Sequence, residues 1–304
     1  MKALDRYWDA LTGQYLSRMG VIVVACMLTI AIFGPLLVID PQAFINAPLL
    51  PPSSQHWLGT NGAGQDVFAQ SIAGARPTIL IGLATGIVTV VVGSFVGATA
   101  GFLGGRMDDF ITLLINVFLV IPSLPLMIII ATWLPAGPLA LMTVMVFTGW
   151  AWTARVVRAQ TLSLGQREFV QAAVVTGESR LRIIIVEILP NMTSWLVSSF
   201  IGSTVYAIGA LVGLEFIGLG DSNTITWGTN LFWASNDLAL LTGAWWTFVP
   251  TGVGIALIAF GLTLLNFGMD EITNPRLRSE RIWRTQIPHS KVNLAVTPVE
   301  RRDV

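Results

Sequence analysis

Apolar and polar stretches alternate along the chain in a pattern typical of membrane-spanning helices. The predicted spans cover residues 20–39, 77–102, 110–134, 139–152, 190–214 and 246–267. The first is long enough to cross a bilayer core of about 30 Å as a helix. We therefore expect an all-α membrane protein with six transmembrane helices. These divide the chain into an N-terminal segment (1–20), a first span with an outer-face loop (21–75), a core of five spans (76–275) and a tail (276–304).

The start of the chain carries an amphipathic pattern. A single helical stripe contains Leu4, Trp8, Leu11 and Tyr15. This stripe predicts either a helix on the membrane surface or a packed cytosolic lead-in. No small-x-small cleavage site follows the first apolar segment, so we expect that segment to be an uncleaved anchor.

The second predicted span, which Pro77 is expected to open, is rich in glycine. Its regularly spaced glycines are Gly82, Gly86, Gly93, Gly97 and Gly101. Because one face of this helix has almost no side chains, we expect another helix to approach it closely.

A polar segment, residues 163–190, interrupts the apolar pattern. Ser163 and Gln166 have the spacing of a capping box, which predicts the start of a short helix. Gly177 is expected to end that helix in a left-handed conformation, and Ser179 to cap a second helix that continues to Ile188. One face of the first helix carries Phe169, Ala172, Ala173 and Thr176. We expect this small, mildly apolar face to pack against another protein.

Composition supports a membrane location, and the charges predict an orientation. Of the 304 residues, 54% are hydrophobic and 11% are charged, against about a quarter charged in a soluble domain. The net charge is zero, so the chain lacks the basic surface expected of a nucleic-acid-binding protein. If both termini and the 163–190 segment are cytoplasmic, every lysine and arginine except Arg76 lies inside, in agreement with the positive-inside rule.

Several kinds of chemistry are missing from the sequence. There is no G-x-x-x-x-G-K-[ST] motif, and Lys2 and Lys291 are the only lysines, so no P-loop lysine is available for ATP phosphates. His56 and His289 fall in different compartments, which argues against a histidine-based metal site or catalytic triad. Cys26 is the only cysteine, so no internal disulfide can form. We expect no catalytic residue, no metal site and no cofactor bound by this chain.

The polar segment resembles the cytoplasmic loop of binding-protein-dependent ABC importer permeases. The family pattern, E-Y-V-E-A-A-x-x-x-G followed by a basic, apolar helix and I-L-P-N, is matched through Glu168 to Gly177 and again at Ile188 to Asn191, with Gln171 in place of an acidic residue. The resemblance implies the type I ABC importer permease fold, in which this coupling loop docks into a groove on a separate ATPase subunit. The residues it assigns to ATPase coupling are Glu168, Phe169, Val170, Gln171, Ala172, Ala173, Gly177, Ser179 and Arg182.

A second motif narrows the resemblance to the oligopeptide, dipeptide and nickel branch, and to its second type of permease subunit. The L-G-T-D-x-x-G-R-D-V pattern of that branch is matched by Leu58, Gly59, Thr60, Gly64, Asp66 and Val67, with Asn61 and Gln65 replacing a charged residue each. The S-F-L-G-L-G and S-W-G pieces are matched by Phe216, Gly218, Leu219, Gly220, Trp227 and Gly228. The resemblance implies that short peptides are the cargo, with oligosaccharides or nickel complexes as alternatives. The implied partners are an extracytoplasmic binding protein, a second homologous permease subunit and two ATPase subunits that bind ATP and Mg, in a bacterial or archaeal cytoplasmic membrane.

Candidates for the translocation pathway are Asn116, Pro122, Ser123, Glu215 and Trp227. Pro122 and Pro125 are expected to kink the third span, either to line the pathway or simply to bend the helix. Glu215 lies at the edge of a span, where a carboxylate either faces the outer mouth or reaches headgroup water. Trp227 belongs to a tryptophan-rich segment that predicts an interfacial belt or a surface on which sugar rings stack.

The competing class is a secondary transporter or channel that works without ATPases. Such proteins usually place charged residues in the middle of their spans for ion coupling. The five inner spans show no charge at their centres, which favours the importer. A membrane enzyme is disfavoured by the missing catalytic clusters.

Overall fold

The computed structural model describes residues 15–44 and 47–273; most of the predicted surface helix (1–20) and the tail (276–304) lie outside them. The helices are α1 (Tyr15–Phe33), α2 (Val67–Leu103), α3 (Gly105–Val120), α4 (Ser123–Ala131), α5 (Pro138–Leu164), α6 (Glu168–Val175), α7 (Thr193–Phe216), α8 (Trp227–Asn236) and α9 (Val249–Thr273). Shorter helical turns cover Gly34–Leu36, Arg180–Arg182, Leu189–Met192 and Trp245–Thr247, and a π-helix covers Ile183–Ile188. Within the described ranges the β pairing consists of one isolated bridge between Thr60 and Asp66.

The helices account for the six predicted spans, but one span is broken. By length and hydropathy, five helical segments of the described chain could cross a membrane, and α3 with α4 would make a sixth. These two helices meet at 90°, so the predicted single kinked helix was wrong. Ile121 is extended because Pro122 disfavours helical backbone in the residue before it. Pro125 causes no kink, because it lies in the first turn of α4, where an N–H has no partner within the helix.

Three predicted helix boundaries were also wrong. The helix α2 begins at Val67 rather than Pro77, because Oδ1 of Asp66 accepts a hydrogen bond of 2.8 Å from the N–H of Ala69 and caps it. The helix α5 continues beyond residue 152 to Leu164. Pro190 does not open the fifth span, since helical turns continue from Arg180 into α7.

The long helix α2 lies at the centre of the fold and contacts α1, α3, α5, α7 and α8. Its glycines allow the close approach that their spacing predicted. Gly86 lies against Thr204 of α7, and a Cβ added to Gly93 would lie 2.8 Å from the carbonyl oxygen of Trp150 in α5. Real Cβ atoms do not approach a carbonyl oxygen that closely, so glycine at these positions sets the distance between α2 and its neighbours.

An ion pair joins α3 to α5. Nε of Arg158 donates a hydrogen bond of 2.5 Å to Oδ1 of Asp108, and Nη2 donates one of 2.6 Å to Oδ2. Both side chains are largely shielded from solvent. A two-pronged pair of this kind fixes orientation as well as distance, so it holds α3 in register with α5. The sequence marked Arg158 only as a cytoplasmic charge.

Candidate functional site

The short helix α6 begins later than the sequence predicted. Its first residue is Glu168, and Arg167 before it is extended and makes no side-chain cap. Ser163 cannot cap α6, because it lies in the last turn of α5, where the backbone is still helical. Gln171 instead joins α6 to the end of α5. Its Nε2 donates a hydrogen bond of 2.7 Å to the carbonyl oxygen of Gly165.

Gly177 ends α6 as predicted. Its φ is +81°, and the N–H groups of Gly177 and Glu178 donate to the carbonyl oxygens of Val174 and Ala173 at 3.1 Å each. This is the Schellman arrangement, which needs a left-handed residue at that point. The bend between the two predicted helices therefore depends on the backbone freedom of one glycine.

The second predicted helix is present, with an unexpected winding. Oγ of Ser179 accepts a hydrogen bond of 3.4 Å from the N–H of Arg182, so Ser179 is the predicted N-cap. Arg182 also forms an ion pair with Glu178. Beyond Arg182 the chain forms the π-helix Ile183–Ile188 rather than an α-helix. Short π segments are rare in proteins, and those that occur often lie at functional sites.

One face of α6 is fixed to the membrane-spanning bundle. Val170 is fully buried, and Ala173 packs partly buried beside it. The buried residues around them are Ala98, Val157, Ile183, Ile184, Ile188 and Met192. These come from α2, α5 and the segment after the bend, so the inner face of α6 belongs to one buried cluster with all three, and its direct packing is against the π-helix. Ala173 is thus partly covered by the bundle and Val170 is an internal contact, and the part of both residues in ATPase coupling stays a prediction.

The opposite face of α6 is exposed. We define the outward face as Phe169, Ala172, Val175 and Thr176; the exposed fraction is 39% at Phe169 and 86% at Val175. The hydroxyl of Thr176 donates to the carbonyl oxygens of Ala172 and Ala173 at 3.1 and 3.0 Å, so its hydrogen-bonding capacity is used within the helix. The outward face therefore presents mainly apolar surface to solvent. Sequence reasoning missed Val175.

The polar residues of the candidate loop adjoin this face, and Glu168 lies on it one turn before Ala172. Glu168 is exposed in the first turn of α6, where a carboxylate is favourably placed near the helix dipole. Gln171 and Arg182 are also exposed, and their side chains contact neighbouring groups of the loop as described. The structure thus brings the predicted loop residues, apart from the buried Val170, into one continuous helix-bend-helix surface.

Glu215, at the end of α7, lies in neither environment that the sequence suggested. It is 4% exposed. It accepts a hydrogen bond of 2.6 Å from the hydroxyl of Thr226 and another from the N–H of Gly228. The carboxylate therefore closes the loop between α7 and α8 and reaches neither the outer mouth nor headgroup water.

Trp227 is a core residue rather than part of an interfacial belt. It is 2% exposed, and its indole N–H donates a hydrogen bond of 2.9 Å to the carbonyl oxygen of Ser71 in α2. Its backbone N–H donates one of 3.0 Å to Oγ1 of Thr78. These contacts fix the start of α8 against α2.

The remaining pathway candidates lie near the break between α3 and α4. Asn116 and Pro122 are exposed, and Ser123 is partly buried. The hydroxyl of Tyr206 in α7, a residue that no sequence pattern singled out, donates a hydrogen bond of 2.9 Å to Oγ of Ser123. A polar pair on a membrane helix is compatible with a water-lined pathway, and the pathway role of these residues stays a prediction.

The L-G-T-N-x-x-G-Q-D-V segment folds into a compact loop before α2. Nδ1 of His56 lies 2.7 Å from Oδ2 of Asp66. Nδ2 of Asn61 donates a hydrogen bond of 3.0 Å to Oε1 of Gln65. The two residues that replace charged ones in the family pattern therefore form a neutral amide pair.

Comparison with known proteins finds consistent relatives. The family described as "Binding-protein-dependent transport system inner membrane component" matches residues 89–279. The chain is 31% identical to the oligopeptide transport system permease protein OppC of Bacillus subtilis, over 91% of this chain and 92% of the relative. It is 30% identical to the dipeptide transport system permease protein DppC of the same organism, over 89% and 85%. It is 34% identical to the probable D,D-dipeptide transport system permease protein DdpC of Escherichia coli, over 88% and 89%.

Proposed function

The chain belongs to the family of binding-protein-dependent transport system inner membrane components, and from this membership we propose that it is the permease subunit of an ABC importer for short peptides. A permease of this family is a multi-pass protein of the inner membrane and serves transport rather than catalysis. Peptides are the cargo that the names of three similar permeases share. The permease is proposed to receive its peptide from an extracytoplasmic binding protein.

The outward face of α6 is the proposed docking site for an ATPase subunit. A mostly apolar helix face outside the bundle is unusual on a surface that stays exposed to water, and it is typical of a contact with another protein. The opposite face of the same helix supports this site, because Val170 there is fully buried in a cluster that includes residues of α2, α5 and the π-helix. This two-sided arrangement is the observation on which the proposal rests.

The mechanism follows from how α6 is held. The proposed ATPase subunits would hold ATP and Mg, and closure of those subunits would push on the outward face of α6. Because Val170 and Ala173 belong to a buried cluster that also contains residues of α2, α5 and the π-helix, α6 is proposed to move with the bundle as a lever. The bundle then alternates between inward-open and outward-open states together with a second, homologous permease subunit.

The proposed orientation places α6 on the ATP side of the membrane. It rests on the distribution of lysines and arginines, which are all on the α6 side except Arg76 if both termini are cytoplasmic. The loop that contains Asn61 then lies outside, at the other end of α2, where a binding protein can reach it.

Transport by the reconstituted complex tests the proposal. We expect proteoliposomes that contain this chain, the second permease and both ATPases to take up labelled tri-alanine only with ATP and the binding protein. A variant ATPase that binds but does not hydrolyse ATP serves as the control and should stop uptake. Uptake that follows a proton or sodium gradient without ATPases would contradict the proposal.

A further inference from the structure

A polar cleft opens at the end of the molecule opposite to α6. It lies between the loop that precedes α2 and the segment around α8, and its volume is about 490 Å³. Pockets for small ligands typically measure about 300–1,000 Å³, so the cleft has room for a short peptide. The cleft lies at the start of α2, and α6 lies near its end. At a rise of about 1.5 Å per residue, the 37 residues of α2 are more than long enough to cross a membrane, so the cleft and α6 lie on opposite sides of it.

The walls of the cleft are built from carboxamides that bind one another. Nε2 of Gln70 donates a hydrogen bond of 2.6 Å to Oε1 of Gln65, and Nδ2 of Asn61 donates one of 3.1 Å to Oε1 of Gln70. Across the cleft, Nε2 of Gln42 donates one of 3.2 Å to the carbonyl oxygen of Asn223. These bonds hold the two sides of the cleft together and use much of the hydrogen-bonding capacity of its walls.

Asp237 is the charged residue of the cleft lining. Its carboxylate accepts a hydrogen bond from the N–H of Gly62, and burial raises the pKa of the carboxyl above its ordinary value. The ion pairs of the described residues do not include Asp237. Partial burial of a carboxylate without a cation is unfavourable, and a bound cation would remove that cost.

Two neighbouring features favour a cation at the same place. Asp237 follows the last residue of α8, where the helix dipole places partial negative charge. Trp233 lines the same cleft four residues earlier and is exposed there. An indole face attracts an ammonium group. Carboxylate, helix end and indole thus converge on one side of the cleft.

We propose that this cleft binds the amino terminus of the incoming peptide, with the α-ammonium group against Asp237 and Trp233. The proposal rests on the peptide-importer function and deepens it, because it assigns a first contact for cargo released by the binding protein. Gly62 has a defined part in the site: a Cβ there would overlap the carboxylate of Asp237, so only glycine leaves the carboxylate on the Gly62 N–H.

Peptide binding to the full complex in lipid nanodiscs, without the binding protein, tests this site. The probes are tri-alanine and N-acetyl-tri-alanine, which differ in the ammonium group. We expect Asp237→Asn to weaken binding of tri-alanine about tenfold, as for loss of one charge-assisted contact, and to leave binding of the acetylated peptide unchanged. Gly62→Ala, which keeps the charge but displaces the carboxylate, should have the same effect.

Asp221→Asn is the matched control. Asp221 lies in the same outer segment, but its carboxylate already accepts hydrogen bonds from the N–H of Asn223 and the hydroxyl of Thr224. Its removal should not change the affinity for either peptide. Equal losses with both peptides, or no loss with Asp237→Asn, would overturn the inference. So would weaker docking of the binding protein without a change in peptide affinity, because the cation would then come from that protein. None of these results affects the proposed function, which is tested separately by the ATP-dependent uptake of tri-alanine by the wild-type complex.

Discussion

Replacing Gly177 with valine is expected to abolish ATP-driven uptake while the protein still inserts into the membrane. The glycine has a φ of +81°, a region that β-branched residues almost never occupy. A side chain at this position would meet nothing within 4 Å, so the effect comes from the backbone alone. Valine would shift the bend and turn the outward face of α6 away from the ATPase. Uptake should fall to background, and the peptide should no longer stimulate ATP hydrolysis.

Asparagine at position 177 is the matched control for this substitution. It tolerates the left-handed conformation better than other residues with a side chain. The Gly177→Asn protein should therefore retain a substantial part of the uptake. Immunoblots of the membrane fraction would confirm that all variants insert equally. Normal uptake by Gly177→Val would show that the bend is not needed for coupling.

Replacing Arg158 with alanine is expected to cause a large loss of stability. The change leaves Asp108 partly buried without its partner. Removing one member of a fully buried pair typically costs about 3–5 kcal/mol. Since Arg158 and Asp108 retain some solvent contact, we expect about 2 kcal/mol, after a discount for screening by water. Thermal unfolding of the detergent-solubilised protein would report this as a lower Tm.

Two comparisons isolate the ion pair. Arg155 lies on the same helix and is exposed, so Arg155→Ala should change the Tm little. The double variant Asp108→Ala with Arg158→Ala should be less destabilised than the sum of the two single variants, because no unpaired charge remains. Strict additivity would mean that the two side chains do not interact in the membrane.

Local signals in the sequence predicted part of the site well. Gly177 and Ser179 were identified because a left-handed residue and an N-cap act on the backbone within a few residues. The orientation of α6 was harder to predict. Whether Val170 or Phe169 faces inward depends on the surface that Ile183 and Ile188 present, and this surface forms only when the chain folds back. Helical spacing alone does not predict which face of α6 the rest of the protein covers.

Two other errors had separate causes, a stronger local signal elsewhere in the chain and a partner across a loop. Pro77 predicts a helix start, but Asp66 caps α2 further upstream. Neither environment expected for Glu215, the outer mouth or headgroup water, is found, because its partners Thr226 and Gly228 lie across a loop whose path the sequence does not reveal. The six spans and the glycine face of α2 were predicted because apolar length and glycine spacing depend little on such partners.

Cysteine accessibility at position 172 tests the central claim most directly. Cys26 is the only native cysteine, so Ala172→Cys in a Cys26→Ala background gives one reactive site on the outward face of α6. In intact cells, a membrane-impermeant maleimide should not label this cysteine. It should label the cysteine after the membrane is permeabilised, and bound ATPase should protect the site. Labelling in intact cells would place α6 outside and contradict the account.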